Sequence, residues 1–509
     1  SFDFGAINNF LSKFFPAGFY YKTFMWPKSF WSKIYEPIIR KAAGLGVAPL
    51  KPDPDRYEHK FEHCDVLIVG SGPSGLASAL SAAKNGARVI LAEDKSKFGG
   101  SLLADQVTIG NKTGKEWADE TVEQLKSMPN VIVKNRSQVF GYYDHNMMVM
   151  FERTKDHIQS PNKYTPRQKL WYIRAKEVVV STGSIERPLI FGNNDRPGIL
   201  LAAAAKEYIK KYGVLVGKKP IIFTNNDSAY DTAIEFKKNG IDPLIVDVRN
   251  VSESTVVKEA KDLGITIKFS HAVANTEGQL RISSALVGKL NNDKSGYENL
   301  ESIPCDCLCI SGNWTPTVHL SSQSGNKLKF DEMISAFIPN KSRQNETTIG
   351  SANGSFTLKK SLKDGFDKGF EVSNKLTKKN IKIDPPISNE KSYGNYEKFW
   401  CMPLPKNKEY KRCVDFQNDV YVSDIELAIR EGFRSIEHVK RYTTLGMATD
   451  QGKTSNLNGL QLVSNIENKI VPEVGHTTFR PPYTAVTIGT IVGREVGKHY
   501  RPTRKSPMH

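Results

Sequence analysis

From Cys64 onward the chain alternates between short apolar runs and stretches with helical spacing. CDVLIV (64–69) is β-branched, long enough for a buried strand and too short for a helix. LASALSAAK (76–84) carries small residues at helical spacing and ends at Asn85-Gly86, a helix stop. ARVILAED (87–94) reads as a second strand. Strand, glycine-rich turn, helix and strand together predict a βαβ unit with parallel strands and a right-handed crossover. KPIIFTNNDSAYDTAIEFKKNGIDPLIVDVR (219–249) predicts a second unit of the same outline, and EVVVSTGS (177–184) and CDCLCISGNW (305–314) predict strands that run into glycine turns. Lys359 to Lys382 has helical periodicity with a lysine-rich, solvated face, and 412–447 reads as a strand or turn followed by two helices. KPDPDRYEH (51–59) reads as a linker, because two prolines among charges disfavour a helix.

Residues 1–35 hold thirteen aromatics, among them Phe14, Phe15, Tyr20, Tyr21, Trp26, Phe30 and Trp31, interleaved with lysines. So many rings must be covered, by the chain's own body, a partner or a membrane surface; packing on protein is the expectation. Composition narrows the class. With 39% apolar and 25% charged residues among 509, the chain is globular, and no run approaches the ~18 apolar residues of a membrane span. The formal charge, 71 − 54 = +17, often reads as nucleic-acid binding, but it is scattered rather than gathered in an arm, and an acidic partner subunit explains it as well; a partner subunit and no nucleic acid is the expectation, a non-enzymatic basic binding protein the alternative. Six cysteines make no disulfide scaffold; Cys305, Cys307 and Cys309 are expected on one face of a strand as reduced core thiols of a cytoplasmic protein, with no metal. The chain begins at Ser1 without a secretory leader and reads as cut from something longer.

The chemistry concentrates at Gly70, Gly72 and Gly75, a GxGxxG that follows a strand and opens a helix, with Pro73 and Ser74 inside it. Such a turn brings a diphosphate against backbone amides and the positive end of the helix dipole. Glu93, twenty-one residues after Gly72, stands where a carboxylate bonds the adenosine ribose, and it would repel a 2′-phosphate. NAD or FAD is therefore expected over NADP, an empty Rossmann-like turn being the alternative. In the second unit Asn225, Asn226 and Asp227 replace the glycines and carry side chains into the phosphate space, which predicts a vestigial site. GKTS (452–455) is not a P-loop, since five residues rather than four separate Gly446 from Gly452 and a helix precedes it. His319 reads as a packing residue, Ser321, Ser322 and Ser324 have no nucleophile elbow, and no catalytic residue is identified.

The order strand, GxGxxG, glutamate-ended strand, STGS, second βαβ unit, CISG and TTIGSANG resembles the two-dinucleotide-binding-domain flavoproteins, an α/β fold whose second Rossmann-type domain is inserted in the first. Two departures stand out: Gly350 is followed by Ser351 where that family has aspartate, and the paired-cysteine redox site is missing. VDFQNDVYVSDIELAIREGFRSIEHVKRYTTLGMATDQGKTSN resembles a bacterioferritin-associated-ferredoxin-like helical domain, but Asp415, Gln417, Asp450 and Ser455 stand at its four cysteine positions, so no iron–sulfur cluster is expected. With PAGFYYKTFMWP, SGNWTPTVHLSSQSG and TTFRPPYTAVTIG, these blocks resemble the alpha-subunit family of heterotetrameric sarcosine oxidases.

That resemblance implies an assembly with beta, gamma and delta subunits that demethylates sarcosine to glycine, using tetrahydrofolate and oxygen and giving 5,10-methylenetetrahydrofolate and hydrogen peroxide. It implies FAD in the beta subunit, FMN at the alpha–beta boundary, and NAD in the alpha subunit that is not turned over. The implied NAD contacts are Gly70, Gly72, Pro73, Ser74, Gly75, Glu93, Asp94, Lys95, Gly100, Ser101, Phe140, Thr182, Gly183, Ser351, Ala352 and Phe356; Gln451, Gly452, Lys453, Thr454 and Ser455 are either a structural loop or an FMN and subunit boundary. The family's folate domain would follow His509, so folate chemistry is not assigned to this chain. The expected domains are a docking segment (1–60), the NAD domain (61–210 with 300–370), the inserted domain with its degenerate glycine motif (211–299), the ferredoxin-like helical domain without cluster ligands (371–480) and a basic end (481–509). A self-contained FAD/NAD-dependent reductase or a dimethylglycine, proline or opine dehydrogenase subunit is the alternative.

Overall fold

Strand β1 (Tyr57–Val69) runs through the middle of the first sheet and delivers its C-terminal end to helix α1 (Pro73–Lys84), after which strand β2 (Val89–Ala92) returns beside it. Helix α2 (Gly114–Ser127) leads to β3 (Val131–Lys134), and a meander of β4 (Ser137–Tyr143), β5 (Met147–Arg153) and β6 (Gln168–Val180) completes the order β3-β2-β1-β6-β5-β4. The β3-β2-β1-β6 portion is parallel and the β6-β5-β4 portion antiparallel. This computed structural model describes residues 24, 26–46, 51–493 and 506–508. Phe14, Phe15, Tyr20 and Tyr21 of the expected docking segment, and residues 494–505 of the basic end, lie outside the described residues.

A second, fully parallel sheet has the order β7-β14-β8-β9-β10. Its elements are β7 (Ile199–Leu201), α3 (Ala202–Tyr212), β8 (Pro220–Thr224), α4 (Tyr230–Lys238), β9 (Leu244–Asp247), α5 (Thr255–Asp262) and β10 (Thr266–Phe269). An antiparallel sheet of β11 (His271–Glu277), β12 (Ser284–Leu290) and β13 (Tyr297–Pro304) follows, and β14 (Cys307–Ser311) re-enters the parallel sheet. Helix α6 (His319–Gln323) leads toward β15 (Glu346–Thr348), which pairs with the end of β6, so the chain returns to the first sheet after the second is complete. Helix α7 (Leu358–Thr377) lays Ser361, Leu362, Gly365, Phe366, Gly369 and Val372 inward, against α1, and leaves its lysines to solvent. The hairpin β16 (Cys413–Asp415) and β17 (Val420–Tyr421), then α8 (Val422–Arg430), α9 (Ile436–Thr443), α10 (Asn456–Glu467) and α11 (Ile488–Val492), close the described chain.

Two expectations change. β1 starts seven residues before Cys64, because YEHKFEH continues the ladder against β6 from Tyr57 opposite Gln168 and absorbs the end of the expected linker. Cys305 precedes β14 and packs with Leu308 and Ile310 on one side of the sheet, while Cys307 and Cys309 point to the other, their sulfurs 3.6 Å apart. The strand's period of two begins only at Cys307, and Cys305 belongs to the turn before it. The chain divides into two units, Ser1–Asp55 with Glu495–His509, and Arg56–Arg494; the described part of the first is helical from Lys28 to Ala42. No helix among the described residues is long and apolar enough to cross a membrane.

Candidate functional site

Between β1 and α1 the chain turns within three residues. Gly70 holds φ +98°, and a Cβ there would lie 2.4 Å from the Ser181 carbonyl oxygen just beyond β6. A Cβ on Gly75, in the first turn of α1, would lie 2.0 Å from the Gly70 oxygen. Neither position has room for a side chain, so α1 begins directly above the strand end. Gly72 is different: its backbone is extended, it caps α1, and a Cβ on it would meet nothing within 4 Å. The open space above Gly72 faces the amide end of α1, where an anion is stabilised by the helix dipole. The cradle therefore fits the diphosphate of a dinucleotide.

Glu93 braces this turn. One carboxylate oxygen accepts from the Ser71 amide at 2.9 Å and hydroxyl at 2.5 Å, and the other accepts from the Lys95 amide at 3.0 Å. Burial pushes its carboxyl up to about 7, with neighbouring Asp94 adding to the rise. Three of roughly four lone-pair positions are thus used within the chain, leaving one for a ribose hydroxyl.

The other sequence-predicted residues fall into two groups. Gly100 comes so near the turn that a Cβ would stand 2.9 Å from the Gly72 Cα, and Gly183 faces Ser351 across a gap of 3.8 Å from its own Cβ position. Thr182 donates its hydroxyl to the Thr317 carbonyl at 2.9 Å. The Asp94 carbonyl accepts from Arg153, and Lys95 pairs with Glu207 at 3.7 Å. Ser101 and Phe356 are exposed, Ala352 is fully buried, and the Phe140 ring packs in a cluster with Phe151.

The second turn is filled by the chain itself. The Asn225 carbonyl accepts from the Glu397 amide at 2.8 Å, its side-chain amide donates back at 2.9 Å, and Asp227 accepts from the Gly394 amide at 2.5 Å. Arg249 joins Asp227 at 2.7 Å to Asp247 at 2.6 Å. Segment 394–397 occupies the ground above this turn that Gly72 leaves open above the first.

At the four expected cluster positions, Asp415 accepts from the Gln417 amide at 3.0 Å and the Ser455 hydroxyl at 3.2 Å, and Asp450 accepts from the Gly452 amide at 2.9 Å. No group of metal-ligating side chains is found among the described residues. The Gln451–Ser455 loop is turned inward: Gly452 and Ser455 are buried, and the Lys453 ammonium lies 4.7 Å over the Tyr483 ring. Tyr483 donates to the Val139 carbonyl at 2.7 Å, and His319 packs between Tyr483 and Phe479. The sequence gives no signal for this meeting, since Val139 and His319 lie more than a hundred positions before the 453–483 stretch they meet and no motif spacing joins them.

The fold and this cradle define an α/β protein of the FAD-dependent oxidoreductase kind. Residues 65–174 match the FAD dependent oxidoreductase family model, and the crystal structure of L-proline dehydrogenase from P. horikoshii superposes with a TM-score of 0.62 at 22% identity, over 85% of this chain and 80% of that one. Within that class the chain is a relative of the sarcosine oxidase alpha subunits along its whole length. Residues 409–494 match the sarcosine oxidase A3 domain, and sarcosine oxidase subunit alpha from Rhizobium meliloti (strain 1021) is 41% identical over 100% of this chain. The subunit from Corynebacterium sp. (strain P-1) is 35% identical over 92% of it. The chain spans about half the length of these curated relatives, 50% and 49% respectively.

Proposed function

We propose that this chain is the NAD-binding alpha subunit of a multi-subunit flavin oxidase that demethylates sarcosine to glycine, with tetrahydrofolate and oxygen as co-substrates and 5,10-methylenetetrahydrofolate and hydrogen peroxide as products. The observation that carries this reading is the pairing of one open cradle, above Gly72, with a second turn filled by segment 394–397. One dinucleotide per chain follows, with FAD and FMN left to the beta subunit and its boundary.

In this reading the amides that open α1 hold the diphosphate, and Glu93, fixed by Ser71 and Lys95, offers its remaining lone pair to the adenosine ribose. NAD when bound supplies a nicotinamide ring able to accept hydride. No thiol pair stands ready to exchange electrons with it: burial pushes Cys305 up to about 12, and Cys309, hydrogen-bonded to Cys307, lies well above the usual thiol range. The inserted domain, 211–299, and the helical domain, 371–480, are then scaffold around the NAD domain formed by 61–210 and 300–370. The complex is cytoplasmic, and its amine site lies in a partner subunit.

The test is oxygen uptake with sarcosine, measured on the chain alone and after reassembly with the beta, gamma and delta subunits. Uptake is expected only in the assembly. Amine oxidation by the isolated chain, carrying tight FAD, would contradict the reading and favour a self-contained dehydrogenase.

A further inference from the structure

Four large apolar side chains are exposed within the eight residues from Tyr208 to Leu215. Helix α3 ends at Gly213, which holds φ +65°, and the Val214 amide donates back to the Tyr208 carbonyl at 3.1 Å. This reversal returns Val214 to the last turn of the helix, with Leu215 next to it in the chain. There Tyr208 and Tyr212, four residues apart, set their rings 6.0 Å from each other. The exposures are 48% for Tyr208, 70% for Tyr212, 49% for Val214 and 40% for Leu215. Single exposed apolar residues are ordinary on a protein surface, but several joined in one patch, two of them tyrosines, mark a contact face.

A cationic rim borders this patch. Lys218 and Lys219 follow it in the chain, and Arg281 donates Nη2 to the Val216 carbonyl at 3.0 Å and Nε to the Asp306 carbonyl at 3.1 Å. All three are exposed, and none has a carboxylate in ion-pair range among the described residues. On the helix itself the charges are matched, Lys210 by Glu235 at 3.5 Å and Lys211 by Glu207 at 3.0 Å. The Asp306 carboxylate is spent on the amides of Lys218 and Lys219, at 2.8 Å each. Held by two backbone carbonyls, Arg281 is ordered before any contact forms, which lowers the entropy cost of binding. Lys219 and Asp306 directly precede β8 and β14, so the patch stands at the amino ends of the parallel strands. Small ligands of such sheets bind past the carboxyl ends, where segment 394–397 fills the turn at 225–227. The patch is thus clear of both turns.

The charges select the occupant. A second copy of this chain, packed about a two-fold axis, would set Lys218, Lys219 and Arg281 against the same cations. Nucleic acid takes its affinity from a basic track along the phosphates, whereas these cations edge an apolar centre. We propose that the patch docks an acidic subunit, a protein surface whose apolar centre covers Tyr208 and Tyr212 and whose Asp and Glu rim meets Lys218, Lys219 and Arg281. The inference rests on the multi-subunit reading above and adds where on this chain such a subunit sits.

Hydroxyl-radical footprinting read by mass spectrometry tests it, comparing the 509-residue chain alone with its assembly with the beta, gamma and delta subunits. Oxidation of Tyr208 and Tyr212 is expected to fall severalfold in the assembly. Lys218→Glu combined with Lys219→Glu is expected to weaken association at least about tenfold and to flatten its dependence on salt. Tyr212→Ala is expected to weaken it by a similar factor with an unaltered melting temperature, since the side chain is exposed. An assembly that consumes oxygen with sarcosine while both tyrosines stay as reactive as in the chain alone would overturn the surface and leave the multi-subunit reading standing. Dimerisation of the chain alone that Tyr212→Ala abolishes would overturn it in favour of a second copy. Adsorption of the chain to anionic phosphatidylserine vesicles that Tyr212→Ala abolishes would overturn it in favour of a lipid surface. Failure of the subunits to associate at all would overturn the reading and the surface together.

Discussion

A methyl group on Gly72 would enter the open side of the cradle without touching protein, whereas one on Gly75 would strike the Gly70 carbonyl. Gly72→Ala therefore separates ligand from fold. Its extended backbone suits alanine, so chain stability is expected to hold or rise by up to about 1 kcal/mol, while dinucleotide affinity falls at least about tenfold. Calorimetric titration beside thermal melting reads both, and undiminished affinity would show that no diphosphate rests there. Glu93 carries a pH signature of its own. Burial raises its carboxyl to about 7 in the folded chain, against 4.5 for an ordinary glutamate, so between those values the folded state binds more protons than the unfolded state. Stability from this group is present below about 4.5, is lost as pH rises toward 7, and is flat beyond, on the order of 3 kcal/mol at most. Glu93→Gln, which keeps an acceptor for Ser71, is expected to remove that fall. Melting temperatures of the nucleotide-free chain from pH 5 to 8 provide the check, and parallel curves for the two proteins would refute it.

At the scale of elements, α1 and α7 come together because both offer small residues. A Cβ on Gly369 would lie 2.5 Å from the Ser78 carbonyl oxygen, and one on Gly365 2.4 Å from that of Ser74. Gly369→Val is expected to cost about 1–3 kcal/mol by overpacking, read as a lower urea midpoint; an unchanged midpoint would mean that the helices are not in contact there. Asp415 joins β16 to the loop before α10 through the Gly446 amide at 2.8 Å and the Ser455 hydroxyl at 3.2 Å. Asp415→Ala leaves both donors buried and is expected to cost a similar ~1–3 kcal/mol. These elements were legible in the sequence where local pattern decides. The β-branched run before Gly70, the small-residue helix after it and the lysine face of α7 each follow from period and turn chemistry. Tyr57 to His59 read as linker because only pairing with β6 makes them strand, and Cys305 was misplaced because alternation alone cannot say where a strand begins.

At the scale of the molecule, what the sequence could not reveal is convergence. His319 meets Lys453, Asn456 and Thr477 at one cavity although it lies more than a hundred positions before them, and His319 by itself looks like any packed histidine. The same holds for the second turn: its lost glycines were visible, but that segment 394–397 fills the ground above it was not. On the proposed reading, the chain has one place for a dinucleotide. Denaturing release from the purified chain, followed by mass spectrometry and quantitation, tests that most directly. NAD at one molecule per chain is the expected result; FAD in its place, or two nucleotides per chain, would contradict it.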